Sequence, residues 1–148
     1  MGLFRQDLLP LGVEAPLFEA QDDSGAAVRL ADLRGRFVVL VFYPADGTPT
    51  CTRQLCALRD SYEPLRAAGA AVYGVNPLSA RSHAAFRRKH GFPFPLIVDE
   101  GRRIAHAYRC GRLLVTRTVY VISPEGRIVF AERGAPPVEA YLPLLSRR

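Results

Sequence analysis

The segment FVVLVFY at residues 37–43 is the strongest structural signal in the chain, because all seven of its side chains are apolar or aromatic. A strand that is apolar on both faces must be covered on both faces, which is typical of a central strand in an α/β sheet. Pro44 ends this predicted strand. We therefore expect the fold to be built around residues 37–43.

A helix and a second strand follow this segment. Thr48 is a good N-cap and Pro49 is favoured at the first helical position, so the sequence predicts a helix that runs to about Arg66. Gly69 ends this helix, and residues 71–76 predict the next strand. The two strands and the helix between them fit a right-handed parallel crossover.

The rest of the chain predicts further elements around this crossover. They are a hairpin at 16–30, a helical turn at 32–35, a helix at 80–90, a strand at 96–98, a helix at 102–108, a strand pair at 115–122 and 127–131, and a helix at 138–145. This order predicts the α/β class and a thioredoxin-like fold. Its central mixed β-sheet is flanked by helices and carries an N-terminal β-hairpin extension.

The composition is that of a globular protein, with 49% hydrophobic and 23% charged residues among 148. We therefore predict a single domain over residues 1–148. No apolar run approaches the ~18 residues of a membrane span, and the N-terminus lacks the pattern of a secretory signal. Three cysteines are too few for a disulfide framework and suit a reducing compartment. We expect a cytoplasmic protein without a membrane partner.

The net charge is +6, and the densest basic cluster is Arg-Arg-Lys-His at residues 87–90. Such a cluster either binds nucleic acid or forms a solvated helix end, where cations complement the helix dipole. No DNA-binding motif or aromatic-interleaved basic stretch accompanies it. We interpret the cluster as a helix end and expect no nucleic-acid partner.

Cys51 occupies the third position of the helix that Thr48 begins, close to the end of the central strand. Reactive groups collect beyond the carboxyl ends of strands in open α/β sheets. The free N–H groups of the first helical turn, the positive end of the helix dipole and a nearby arginine such as Arg53 all favour a thiolate, which is the nucleophilic form. Cys51 is therefore a candidate reactive thiol, and the alternative is an inert buried cysteine.

Cys56 lies five residues further along the same predicted helix. Five helical residues place the two Cα atoms ~8–9 Å apart on largely opposite faces, whereas a disulfide needs less than ~7 Å. Either the two cysteines never bond, or the first turns unwind when they do. The spacing differs from the C-x-x-C pair of thioredoxin-type exchange and from standard zinc spacings, so we expect no metal.

The segment PADGTPTC at residues 44–51 matches the P-x-x-x-T-x-x-C signature of peroxiredoxins. The chain resembles the bacterioferritin-comigratory-protein branch, also called peroxiredoxin Q, of the alkyl hydroperoxide reductase/thiol-specific antioxidant family. This resemblance covers nearly the whole chain. It rests on the segments GVEAPLFEA, LADLRGRFVVLVFYPADGTPTCTRQLCALRD, GAAVYGV, SARSHAAFRRKHGFPFPLIVDE and RTVYVISPEGRI.

The resemblance implies a thiol peroxidase that reduces hydrogen peroxide or organic hydroperoxides in antioxidant defence. Cys51 matches the peroxidatic cysteine, whose thiolate becomes a sulfenic acid. Thr48 matches the threonine that holds the peroxide, Pro44 the proline that shields the site from water, and Arg117 the arginine over the sulfur. Cys56 matches the resolving cysteine, whose intramolecular disulfide is reduced by thioredoxin or a similar dithiol.

The resemblance also implies a monomer or homodimer without a haem, flavin or metal cofactor. Two features depart from the branch: residues 109–116 form a shorter segment than usual, and Cys110 matches no family role. We interpret Cys110 as a buried spectator. Three alternatives stay open, namely a thioredoxin-like disulfide oxidoreductase, a copper chaperone of similar fold, and a peroxiredoxin resolved only by an external thiol.

Overall fold

The computed structural model describes residues 6–145 and arranges their strands around the central segment that the sequence predicts. The strands are β1 (Glu19–Asp22), β2 (Ala27–Arg29), β3 (Val38–Phe42), β4 (Ala71–Asn76), β5 (Leu96–Val98), β6 (Thr118–Ile122) and β7 (Ile128–Arg133). The α-helices are α1 (Pro49–Asp60), α2 (Tyr62–Ala67), α3 (Ala80–His90), α4 (Arg103–Ala107) and α5 (Leu142–Leu145). Short 3₁₀ turns span Leu30–Leu33, Glu100–Arg102 and Val138–Ala140.

The sheet is mixed and has the strand order β2-β1-β5-β4-β3-β6-β7. Strands β3, β4 and β5 are parallel, whereas β6 pairs with β3 in the antiparallel sense. The N-terminal hairpin extends the sheet, because β1 pairs with both β2 and β5. The predicted α/β class, mixed sheet, parallel crossover and hairpin extension are therefore confirmed, while the predicted boundaries at residues 1 and 148 lie outside the described residues.

Alternate residues of β3 pack into two cores, one on each face of the sheet. Val39 and Val41 belong to the core that α1, α2 and α5 cover. Val38, Leu40 and Phe42 belong to the core that lies under α4 and the N-terminal segment. All five residues of β3 are buried, because a side-chain period of two sends neighbours to opposite faces and both faces are covered.

The helix predicted from Thr48 to about Arg66 is broken into α1 and α2 at Ser61. Pro64 explains the break, because a proline inside a helix has no N–H to donate and its ring clashes with the carbonyl four residues earlier. That carbonyl belongs to Asp60, the last residue of α1. The Ser61 N–H instead donates to the carbonyls of Ala57 and Leu58 at 3.1 and 3.2 Å, which closes α1.

In the C-terminal half of the chain, the observed bounds of two elements also differ from the predicted ones. The strand predicted from residue 115 begins at Thr118. The Thr116 N–H donates within its own loop to the carbonyl of Cys110 at 2.9 Å, so it cannot join the sheet. The helix predicted at 138–145 divides into a 3₁₀ turn and α5.

The basic cluster at residues 87–90 forms the last turn of α3, as its interpretation as a helix end requires. Ser79 caps the other end by accepting the Ser82 N–H at 3.1 Å. Arg87 pairs with Asp23 at 3.2 Å and does not extend freely into solvent. Within residues 6–145, no helix has the length and hydropathy needed to cross a membrane.

We predict that Leu40→Ala lowers the free energy of unfolding by about 2–5 kcal/mol, because it leaves a cavity in a packed core. Leu40 is 0% exposed. The measurement is urea denaturation followed by circular dichroism.

The matched control is Leu113→Ala, since Leu113 is 82% exposed. This control is expected to change the free energy of unfolding by less than about 0.5 kcal/mol. Equal midpoints for the two variants would contradict the assignment of Leu40 to the core.

Candidate active site

Cys51 lies in the first turn of α1, where the loop that leaves β3 becomes helical. Thr48 caps the helix: its Oγ1 accepts the Cys51 N–H at 3.3 Å and its carbonyl accepts the Thr52 N–H at 2.8 Å. Pro49 occupies the first helical position. The predicted N-cap and helix start are therefore confirmed, and Cys51 sits where free N–H groups and the helix dipole favour negative charge.

Arg117 brings a positive charge to this sulfur from the far half of the chain. It immediately precedes β6, whose Thr118 pairs with Phe42 at the carboxyl end of β3. This register places the guanidinium Nη1 of Arg117 3.1 Å from the Cys51 Sγ. Both residues are at least half-buried, so water only weakly screens the charge of the guanidinium beside the sulfur.

Gln54 holds the arginine in place from the same helix as the cysteine. The Arg117 Nη1 donates to Gln54 Oε1 at 3.0 Å as well as to the sulfur. Gln54 is three residues after Cys51, a spacing that puts two side chains on one helix face. The sequence analysis missed this residue, although the spacing was a usable signal.

Arg53 does not supply the cation that its sequence position suggests. Its side chain is exposed and donates to Thr50 Oγ1 at 3.3 Å. Pro44 lies half-buried at the start of the loop, directly after the last buried residue of the central segment. The structure thus brings Cys51, Thr48 and Arg117 into contact, with Pro44 four residues before the cap.

Cys56 is on the same unbroken helix as Cys51 and is half-buried. Its Sγ lies 3.9 Å from Nδ1 of His90, at the end of α3. Arg59 ties the two helices together there, since its Nη1 donates to the His90 carbonyl at 2.6 Å. All three cysteines are free thiols, and α1 must unwind before Cys51 and Cys56 can bond.

Cys110 has a different environment on the opposite face of the sheet. It belongs to the core around Leu40, whereas Cys51 belongs to the other core. Burial raises the pKa of the Cys110 thiol to about 12, although hydrogen bonds from Thr118 and Arg133 oppose the rise. Its Sγ donates to the Tyr108 carbonyl at 3.5 Å. Cys110 is therefore a protonated thiol at neutral pH, as expected of a buried spectator.

A second polar cluster that sequence reasoning missed lies behind the active-site loop. Asp46 accepts hydrogen bonds from Tyr43, Asn76, Ser82 and His83. Burial alone would raise the pKa of Asp46, but the hydrogen bonds and charge of His83, with help from Tyr43 and Ser82, lower it below the usual range. Burial and then the Asp46 charge raise the pKa of Tyr43, so its hydroxyl keeps the proton that it donates.

The site is built from two thiols and, within residues 6–145, no recognisable metal centre accompanies them. No group of three or more His, Cys, Asp or Glu side chains within residues 6–145 is placed to hold a metal ion. What the geometry provides is one buried sulfur that accepts a hydrogen bond from a guanidinium at a helix N-terminus, with a second thiol on the same helix.

Known proteins show the same sequence pattern. The model of the AhpC/TSA family matches residues 11–131. Peroxiredoxin Bcp of Bacillus subtilis is 36% identical over 130 residues, which cover 82% of this chain and 83% of that protein. The chloroplastic peroxiredoxin Q of Suaeda salsa is 45% identical over 131 residues, covering 84% of this chain and 61% of that protein. For the rice proteins of the same name, the matched part is 43% of their length.

Solved structures agree in fold. Peroxidoxin BcpB of Mycobacterium tuberculosis superposes with a TM-score of 0.84 at 29% identity, covering 93% of this chain and 97% of that one. The bacterioferritin comigratory protein of Xanthomonas campestris, studied for its alkyl peroxide reduction activity, also gives a TM-score of 0.84, at 27% identity and with 93% and 98% coverage. The predicted thioredoxin-like fold is therefore confirmed.

The family model spans residues 11–131, which include the loop with its cysteine and nearly all of the sheet that holds it, and the structural match covers 93% of the chain. A signature shared by chance would not carry the surrounding fold with it. The resemblance drawn from the residues is thus confirmed, and the chain belongs to the AhpC/TSA family, in its peroxiredoxin Q/Bcp branch.

Proposed function

We propose that this chain is a thiol peroxidase that reduces hydrogen peroxide and organic hydroperoxides, with Cys51 as its nucleophile. The observation that carries the proposal is the 3.1 Å contact between the Arg117 guanidinium and the Cys51 sulfur at the start of α1. Peroxide reduction needs a thiolate, and a cation together with a helix N-terminus stabilises one. The family membership and the names of the relatives point to the same chemistry.

In the first step, the Cys51 thiolate attacks one peroxide oxygen. An S–O bond forms and the O–O bond breaks, so the sulfur is oxidised to a sulfenic acid and the other oxygen leaves as water or an alcohol after gaining a proton. Cys51 is 0% exposed, so the peroxide reaches the sulfur through a local opening at the first turn of α1.

The neighbouring groups suit the charge that develops in this step. The negative charge moves from sulfur to the leaving oxygen, so donors placed there stabilise the transition state more than the ground state. Arg117 supplies such a donor beside the sulfur. The Thr48 hydroxyl accepts the Cys51 N–H, which leaves its own proton to donate toward the sulfur or the peroxide. Through the family resemblance, we assign to Pro44 the role of shielding the reacting site from water.

In the second step, the Cys56 sulfur attacks the Cys51 sulfenic acid. An S–S bond forms, the S–O bond breaks, and the leaving hydroxide takes up the Cys56 thiol proton and becomes water. The contact between Arg59 and the His90 carbonyl supports different behaviour of the two ends of α1. The end of the helix stays attached to α3 and keeps Cys56 in place, while the first turns unwind and carry Cys51 toward it. This step breaks the helical hydrogen bonds of those turns. Local opening of that kind needs less free energy than global unfolding.

Thioredoxin or a similar dithiol then reduces the disulfide and restores both thiols. Such a reductant works in a reducing compartment, so we infer a cytoplasmic enzyme, although the plant relatives are named chloroplastic. The nucleophile, its cation and the resolving thiol all belong to one chain, which supports a monomer or a homodimer with independent sites. We also infer one domain over 1–148, since one sheet collects the strands of residues 6–145.

Cys51→Ser is expected to abolish peroxide consumption while the fold is retained, because serine is not ionised at neutral pH and cannot be oxidised to a sulfenic acid. The measurement is hydrogen peroxide loss with dithiothreitol as the reductant. Cys110→Ser is the matched control and should keep more than about half of the activity, because Cys110 is a buried protonated thiol. Activity that survives Cys51→Ser would move the nucleophile elsewhere.

Arg117→Gln should lower the second-order rate constant for reaction with peroxide by about 100-fold, since it removes a charged donor from the reacting sulfur. Stopped-flow measurement of Cys51 oxidation gives this constant directly. The matched control is Arg53→Gln, which removes an exposed arginine two residues from Cys51 and should change the constant by less than about twofold. Equal effects of the two substitutions would refute the special role of Arg117.

One equivalent of peroxide should produce a disulfide between Cys51 and Cys56, seen by mass spectrometry of proteolytic fragments. Cys56→Ser should instead accumulate the Cys51 sulfenic acid, which dimedone traps, and should lose turnover with thioredoxin. Unchanged thioredoxin-linked turnover in Cys56→Ser would favour resolution by an external thiol. Reduction of insulin disulfides without peroxide consumption would favour the disulfide oxidoreductase alternative.

A further inference from the structure

The carboxylate of Asp46 is the most heavily hydrogen-bonded side chain near the active-site loop. Its Oδ1 accepts from the Tyr43 hydroxyl at 2.7 Å and from Asn76 Nδ2 at 3.0 Å. Its Oδ2 accepts from the Ser82 hydroxyl at 2.7 Å and lies 2.6 Å from His83 Nδ1. The side chain is only 5% exposed. A carboxylate has about four acceptor positions, and all of them are occupied by protein groups.

The second nitrogen of His83 restricts the state of this pair. Its Nε2 lies 2.9 Å from the carbonyl of Ile97, which can only accept a hydrogen bond, so Nε2 carries a proton. The other nitrogen, Nδ1, faces Asp46 Oδ2 at 2.6 Å, so both ring nitrogens of His83 are engaged. Its side chain is 0% exposed. The structure therefore places a buried, hydrogen-bonded Asp–His pair one loop away from Cys51.

A buried hydrogen-bonded pair contributes little net stability, because its groups give up hydrogen bonds with water when they are buried. The groups that it joins are more informative. Asp46 lies between Pro44 and Thr48 in the active-site loop, while its partners lie at the ends of β3 and β4 and on α3. These partners belong to elements that the disulfide step does not unwind.

We propose that Asp46 and His83 are positioning residues that fix the active-site loop against α3 and thereby align Thr48 and the first turn of α1 for attack on the peroxide. This inference rests on the proposed peroxidase function. The pair acts through Thr48 and the backbone of Cys51, and it does not touch the sulfur. Its contribution is orientation, for which a displacement of about 1 Å can cost about 100-fold in rate.

Two glycines fit this assignment. Gly47 has φ of +83° and separates Asp46 from Thr48, so the chain turns sharply directly after the fixed carboxylate. Gly74 in β4 leaves room for the Tyr43 ring, because a Cβ there would meet Tyr43 Cε1 at 3.0 Å and Leu96 Cδ2 at 2.7 Å. The segment that unwinds therefore lies between two attached residues. Asp46 is held on its N-terminal side and Arg59 on its C-terminal side.

Asp46→Ala is expected to lower the rate constant for peroxide oxidation of Cys51 by about 10- to 100-fold. Asp46→Asn is the conservative test. An asparagine can accept from Tyr43 and Asn76 with its oxygen and donate to Ser82 and a neutral His83 with its nitrogen. It should therefore recover the rate to within about fivefold of the unaltered protein. Stopped-flow oxidation by hydrogen peroxide measures all three proteins.

The matched control is Asp99→Asn, because Asp99 is another buried aspartate that is 0% exposed. Its carboxylate accepts the N–H groups of Ile104 and Ala105 at 2.8 Å each and so holds the start of α4. This variant should lower the thermal midpoint yet keep the oxidation rate within about twofold. If Asp99→Asn slows oxidation as much as Asp46→Ala at equal loss of stability, a purely structural role explains the result and the proposal is wrong.

Ser82→Ala keeps the test decisive if Asp46→Ala does not fold. It removes one donor from Asp46 without changing a charge and should slow oxidation by about two- to fivefold. In that case an unchanged rate in Ser82→Ala overturns the positioning role. If Asp46→Ala does fold, a full rate in that variant overturns it. Failure of the proposed function itself looks different, because the unaltered protein would then not oxidise Cys51 with peroxide at all.

Discussion

The contact between the guanidinium of Arg117 and the sulfur of Cys51 is the interaction on which the candidate site depends. It joins the first turn of α1 to the start of β6, two elements that are 66 residues apart in the chain. The contact exists because Thr118 pairs with Phe42 in the antiparallel register of β3 and β6. A slip of one residue would turn Arg117 to the opposite face of the sheet, since side chains alternate along a strand.

Helix α1 has to satisfy two opposing demands. It must hold Cys51 at its N-terminus while the sulfur reacts, and the proposed resolving step then requires its first turns to open. Its 12 residues are at the lower limit for an independently stable helix, so its order comes from a threonine cap and from packing. Leu55 and Leu58 bury the later turns, and Arg59 ties their end to α3. The first turn is the part that can open at the least cost in buried surface.

The two buried cysteines show how far environment decides the chemistry of one residue type. Cys51 and Cys110 are each 0% exposed and lie on opposite faces of the same sheet. Cys110 is held in an apolar core whose burial penalty raises its pKa, and no role in peroxide chemistry is needed for it. Cys51 instead accepts a hydrogen bond from a guanidinium at a helix N-terminus.

Local sequence determined where the central strand lies and where α1 begins, because both depend on neighbours within a few residues. The apolar run at 37–43 determined the central strand, and Thr48 with Pro49 determined where α1 begins. The predicted helix ran through Pro64, and the break at Ser61 was therefore missed. It also favoured Arg53 as the cation near the sulfur, because distance along the chain was the only distance available. Arg117 was named only through the family resemblance.

Only the tertiary structure decided which distant side chains meet. It brought Arg117 to the sulfur through strand register, put Cys110 on the other face of the sheet, and gathered Asn76, Ser82 and His83 around Asp46. No periodicity in the sequence encodes these contacts, because they depend on how β3, β4 and α3 stack in space. Helical hydrogen bonds and apolar patterns are local constraints, whereas strand register and polar contacts across a core are settled only when the elements have packed.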